Sequence, residues 1–283
     1  MKRARNKALV LSAAAVVSAA VLAATAFAAA ANVSGYEELK QRGFALIDQS
    51  GNSTSTVIVE MIADGEKVFS QSVFTEKNEE QGAHHRTETF DGGEDSYWGE
   101  VYWYGTTCYS FSSINPDEYK EFSGYSKDNG RELKLTENQK RFSGIILDLL
   151  TSDLKNFFVT DGNTISVSLD KNQIPELAQS FIAVVAETSI KKHEDNPNYY
   201  IQSDGLDSVI TKYFYEPVIE SYFLTATISD DGYLSDSNAS VSLSGKDANG
   251  ESHTATLILS MTFSDIGSTT VEAFDPQGKT LRQ

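Results

Sequence analysis

Four histidines, His84, His85, His193 and His253, are the first candidates for chemistry. None lies in an HExxH frame or has a second ligand four residues away, the spacing that sets two imidazoles around zinc on one helix face. His84 and His85 are neighbours, so a strand would send them to opposite faces, and they read as a surface pair. His253 falls at the base of a hairpin, where water reaches it. Asp91, Glu94 and Asp95 surround Gly92 and Gly93 and could offer carboxylate oxygens to calcium, but they read first as a solvated acidic turn. Cys108 has no Lys, Arg or His nearby in sequence to lower its pKa, and is expected to be a small buried apolar side chain. No serine-nucleophile elbow, phosphate-binding loop, dinucleotide fingerprint or EF-hand loop is present. The sequence therefore assigns no catalytic residues, no metal ligands and no cofactor.

The densest feature is SYWGEVYWYGTTCYSFS, residues 96–112, which crowds Tyr97, Trp98, Tyr102, Trp103, Tyr104, Tyr109 and Phe111 onto two neighbouring strands. Alternation gives Val101 and Trp103 one face and Trp98, Tyr102 and Tyr104 the other. Either the sheet is covered on both sides, or one aromatic face lines a groove for an acyl chain or a sugar ring. Glu94, Asp95 and Glu100 beside these rings are the local carboxylates from which a glycan-cleaving pair could be drawn.

Those side chains belong to a chain of 283 residues with one cysteine, so neither a disulfide nor a thiolate metal cluster is available within it, and an apolar core must hold it together. Forty acidic against 23 basic residues give a net charge of −17. Such a surface repels nucleic-acid phosphates and anionic lipid, and a nucleic-acid partner is not expected.

The positive charge is concentrated at the start. Lys2, Arg3, Arg5 and Lys7 precede an uncharged run from Ala8 to Ala31, with Ala26-Phe27-Ala28 suited to signal peptidase. Residues 1–28 are read as an export leader and 29–283 as one extracytoplasmic domain. The run exceeds the roughly 18 residues that span a bilayer, but thirteen of its 24 positions are alanine, which favours cleavage over retention. No cysteine near the cleavage point could carry a lipid anchor. Membrane contact is thus expected only through this segment, where it is retained. Loss of four basic and no acidic groups leaves 19 against 40, a net charge of −21.

A helix is expected from Ser34, as N-cap, to the break at Ser50-Gly51-Asn52. TSTVIVEMIA and EKVFSQSVF then flank Asp64-Gly65, a tight hairpin signal. Strands follow near His85 to Phe90, Tyr97 to Tyr104, Thr107 to Ser112 and Glu118 to Tyr125. Thr136 and Gln139 form a capping box before the stripe Phe142, Ile145, Ile146, Leu149 and Leu150. TISVSL leads to a second helix near Gln173 to Ser189, carrying Ile174, Leu177, Phe181 and Val185 on one face. Residues 191–205 suit a long loop or lid. In the last third apolar residues alternate along three runs containing Tyr222 to Ile228, Ala239 to Leu243 and Ala255 to Phe263, backed by a hydroxyl face of Ser and Thr that meets water. Thr269 to Phe274 reads as a final short strand. The fold class is α+β: a large curved antiparallel sheet of two meanders, half-barrel-like, packed on two or three amphipathic helices.

This order of elements, an opening helix, a strand meander, helices and a second meander over residues 34–275, resembles the LolA-like lipoprotein-carrier fold. That resemblance implies a half-barrel wrapped around helices with lipid held between them. The tail SGKDANGESH, FSD and FDPQGK resembles an ending common among uncharacterised exported proteins of Gram-positive bacteria, which implies no activity. The reading favoured is a non-enzymatic carrier of a hydrophobic small molecule, with Trp103, Leu177, Phe181, Leu257 and Leu259 lining the cleft. A ten-carbon chain withdrawn from water gains roughly 8 kcal/mol before the cost of association. An envelope-protein interaction or sensory module is the alternative, and a wall-glycan enzyme the third.

Overall fold

The computed structural model describes residues 33–49, 51–92, 96–124, 157–176, 178–180, 183, 206–276 and 278–282. The leader, Glu94 and Asp95, the helix expected after Thr136, Leu177 and Phe181, and the loop expected over 191–205 lie outside them.

Among the described residues, twelve strands form one sheet. In the first meander β1 (Asn52–Ala63), β2 (Glu66–Asn78), β3 (Gly82–Phe90), β4 (Tyr97–Tyr104), β5 (Thr107–Ser112) and β6 (Asn115–Ser123) are consecutive neighbours. The second contains β7 (Val159–Asp161), β8 (Thr164–Asp170), β9 (Val218–Ile228), β10 (Leu234–Lys246) and β11 (Ser252–Ser264). The meanders join where β11 pairs antiparallel with β1. All ladders are antiparallel except the last, in which β12 (Thr280–Leu281) runs parallel to β6 at the edge. Short turns account for this pattern, because antiparallel neighbours need only two residues to connect them. At the β1–β2 corner Asp64 and Gly65 both have positive φ, 52° and 90°, as a primed hairpin turn requires. Among the described residues the edges are capped by strands of two and three residues, too short to template pairing with another chain.

One face of the sheet carries the core. Helix α1 (Val33–Gln49) presents Tyr36, Leu39 and Leu46 on a single buried stripe, and lies against β10. It is already helical at Val33, upstream of the expected cap at Ser34. Helix α2 (Leu206–Tyr213) buries Val209 over the same cluster and touches β2. Between them Asp170 caps a 3₁₀ turn, Lys171–Gln173, through a reciprocal box with Gln173, and the chain then runs through Ile174 and Pro175 into helical residues 178–180. Met61, Phe69, Ile165, Leu224 and Phe214 lie at the centre of this layer. Over β9 to β11 the opposite face is the expected row of Ser and Thr, partly buried to exposed.

Over the first meander that opposite face is covered in part. After β11 the chain turns at residues 266–268 and crosses β1 to β6 as an extended strap, residues 269–276. This corrects the expected strand from Thr269 to Phe274. The segment joins no ladder and is held by side chains beneath it. Thr269 N donates to Asn52 Oδ1 at 2.9 Å and its carbonyl accepts from Asn78 Nδ2 at 2.8 Å. Val271 N donates to Gln81 Oε1 at 3.0 Å, and Glu272 N to Glu76 Oε2 at 3.0 Å. Tyr104 Oη donates to the Glu272 carbonyl at 2.7 Å and accepts from Phe274 N at 2.6 Å. Backbone groups that lack strand partners are thereby satisfied.

Candidate functional site

The register sorts the aromatic block as alternation demands. Trp103 pairs with Ala83 and Cys108 on the core face, while Tyr102 pairs with His84 and Tyr109 on the other. The sheet is covered on this second side by the strap, whose Phe274 lies flat on Tyr109 and tilted against Tyr102, Phe111 and Tyr119. Cys108 is buried as expected, and desolvation pushes its thiol up to about 12.

His84 does not belong to a surface pair. It is 4% exposed, on the face opposite His85, and its ring is stacked on Tyr102 at 4.1 Å and 6°, with the edge of Phe74 at 5.8 Å. Register brings it directly across from Glu76 on β2, and the strap lays Glu272 above both. Glu76 Oε2 lies 3.5 Å and Glu272 Oε2 3.7 Å from Nδ1, and Glu100 Oε2 lies 3.9 Å from Nε2. These separations exceed hydrogen-bond length, and neither ring nitrogen has a hydrogen-bond partner. Glu100 is itself fixed, accepting from Arg86 Nη1 at 3.0 Å and Tyr102 Oη at 3.3 Å. Burial, and then the Glu100 charge, raises the Tyr102 phenol, so it stays a donor. Arg86 also grips Glu88 and lies over Trp98. One buried imidazole is thus enclosed by three carboxylates from β2, β4 and the strap.

His85, on the core face, meets Thr75 Oγ1 through Nδ1 at 3.0 Å and the edge of Trp103 at 4.7 Å. Desolvation by burial holds it down at about 4. His253 is not simply solvated. Its Nδ1 lies 2.7 Å from Asp64 Oδ2 on the β1–β2 turn, a hydrogen bond that raises the imidazole.

Of the cleft residues expected from sequence, Leu257 and Leu259 sit side by side on the core face of β11, opposite Met61 and Val59. Leu259 is buried in the cluster, whereas Leu257 and its β10 neighbour Val241 are only partly covered. Trp103 shares that face but not that neighbourhood, since β3, β2 and β1 lie between β4 and β11. A cavity of about 250 Å³ opens elsewhere, between α1 and the turns after β7 and β9. Its lining of Glu38, Arg42, Asn163 and Asp230 suits water rather than an acyl chain.

The carboxylate and imidazole group was missed in sequence because it needs three strands, two ladders and a strap. The usable signal was Glu76 and His84 flanking the polar turn before Gly82, which period-two counting puts opposite each other if both strands run to the turn.

No protein-family model matches this sequence, and comparison with curated proteins finds no similar one. Among solved structures, a LolA superfamily protein from Nitrosomonas europaea aligns over 88% of this chain and 98% of its own, at 9% identity and a TM-score of 0.21. The bifunctional dehydratase-cyclase domain in ambruticin biosynthesis aligns over 82% of each chain, at 11% identity and a TM-score of 0.13. At such scores neither likeness bears on function, and the reading of the site rests on its own geometry. Among the described residues no helix is long and apolar enough to cross a membrane.

Proposed function

We propose that the chain is a non-enzymatic extracytoplasmic binding protein for a hydrophobic ligand of the acyl-chain type, held against the core face of β10 and β11. The observation that supports this is the cross-strand pair Val241 and Leu257. Both point to the apolar side, yet both stay partly open while Met61, Tyr222, Leu243, Ala255 and Leu259 around them are buried. An apolar spot inside a covered layer favours an apolar guest, since each methylene withdrawn from water gains about 0.8 kcal/mol. The basic, alanine-rich start supports export. Engagement of Glu100 by Arg86 and Tyr102 argues for a fixed carboxylate and against one that cleaves glycans.

Native mass spectrometry and solvent extraction of the purified protein test this. A copurifying lipid, and uptake of a fatty-acid probe that Leu257→Asn weakens, are expected. Ligand-free preparations that bind no hydrophobic probe would remove the proposal. A second reading, docking of an envelope protein, is favoured by Phe223, which is 45% exposed amid the hydroxyl face of β9. Crosslinking from that position that survives Leu257→Asn would support it.

A further inference from the structure

We propose that Glu76, His84 and Glu272 form a site for a divalent transition cation that fastens the C-terminal strap to the sheet. The position is independent of the apolar site, being on the other face and under the strap.

A buried imidazole with no hydrogen bond at either nitrogen is costly unless something else meets it. Here Nδ1 faces two carboxylate oxygens, at 3.5 and 3.7 Å. Both oxygens lie beyond bonding distance of the ring and near the spacing that one shared cation would impose, and the three atoms fall within 4.8 Å of one another. Tetrahedral ligands at ~2.1 Å from a metal stand roughly 3.4 Å apart. Charge agrees, because two carboxylates around a neutral ring suit a dication. So does ligand type, because an imidazole nitrogen with carboxylate oxygens selects zinc or a similar transition ion over calcium and magnesium, which take oxygen.

Glu100 supplies the remaining part. It lies beyond Nε2, the ring nitrogen that would carry the proton when Nδ1 binds metal, and Arg86 and Tyr102 hold it there. A carboxylate behind a ligating histidine fixes its tautomer and orientation. Stacking on Tyr102 sets the ring plane. Entry is from the strap side, where the Glu272 side chain is 65% exposed, leaving room for a water as fourth ligand. The ligands come from β2, β3 and the strap, so binding ties together segments that meet only in the folded chain.

The test is titration of zinc into the chelator-stripped full chain by calorimetry, alongside limited proteolysis of residues 269–282. It is run on a His253→Ala background, because Asp247, Glu251 and His253 also lie close together at the surface. One saturable equivalent is expected, with slower cleavage of the tail. Glu272→Gln, at an exposed side chain, should leave metal-free melting unchanged and weaken zinc ~10-fold or more, at least the loss seen when a ligand's supporting group is removed. Glu76→Gln should weaken zinc to a similar extent. Absence of saturable binding, binding unaltered by Glu272→Gln, or an imidazolium resonance for His84 that zinc does not displace would overturn the proposal.

Discussion

Phe274 lies parallel to Tyr109, 4.2 Å between ring centroids and 6° from coplanar, so the end of the chain is packed on its first meander. The same ring meets Tyr102, Phe111 and Tyr119. The strap is therefore the outer layer of the aromatic block. Phe274→Ala should cost about 2 kcal/mol, less than a fully buried Phe because the residue is only partly buried. Denaturant melts would give the loss, and faster proteolysis of the tail at unchanged far-UV dichroism would locate it.

Leu224 and Leu257 separate core from binding surface. Leu224 is 1% exposed, so Leu224→Ala leaves a cavity and should cost about 3 kcal/mol. Leu257→Ala removes the same atoms from a partly open position and should cost nearer 1 kcal/mol. If an acyl chain rests there, that weaker variant is the one that loses probe binding. Paired melting and probe titrations on both variants measure the split, and equal losses of stability would contradict the difference in cover.

The strand order was largely legible in sequence, and the reasons are local. Asp64-Gly65, Gly232 and Gly250 announce turns by their tolerance of positive φ, and the alternation from Ala255 to Phe263 fixes which side of β11 is buried. The site was not legible, for a physical reason. Glu272 reaches His84 only because Asn52, Asn78, Gln81 and Tyr104, each polar and individually unremarkable, hold the strap by hydrogen bonds that no period reveals. The same strap answers the question left by the two-sided aromatics, that of a groove or a second cover.

The pair Asp64 and His253 gives a pH signature. Backbone and side-chain hydrogen bonds from Thr254 and His253 lower the Asp64 carboxyl, and Asp64 raises the His253 imidazole. The raised histidine stabilises the folded state below its unfolded pKa, near 6.5, and that contribution disappears as pH climbs through the folded value. The lowered carboxyl stabilises above about 3.9 and is lost as pH falls through its folded value. The contact should be strongest between those limits. Histidine NMR titration is expected to give His253 an elevated midpoint that returns toward the ordinary value in Asp64→Asn, and no movement on that substitution would refute the coupling.

Gly82 and Gly65 both have positive φ, yet they should respond differently to a methyl group. At Gly65, φ is 90° and a Cβ would meet nothing within 4 Å, so Gly65→Ala carries backbone strain alone, about 1 kcal/mol. At Gly82, φ is 118° and a Cβ would fall 2.0 Å from the Trp103 carbonyl oxygen. Backbone cannot yield as a side chain tip does, so β3 must shift at its first residue, where Gly82 opens the strand bearing His84. Gly82→Ala is thus expected to lose several times as much stability as Gly65→Ala. It should also weaken zinc binding, because the register that sets His84 across from Glu76 begins at the Asn78 and Gly82 pair. Comparable melting of the two variants would mean that β4 gives way more easily than its place inside the sheet implies.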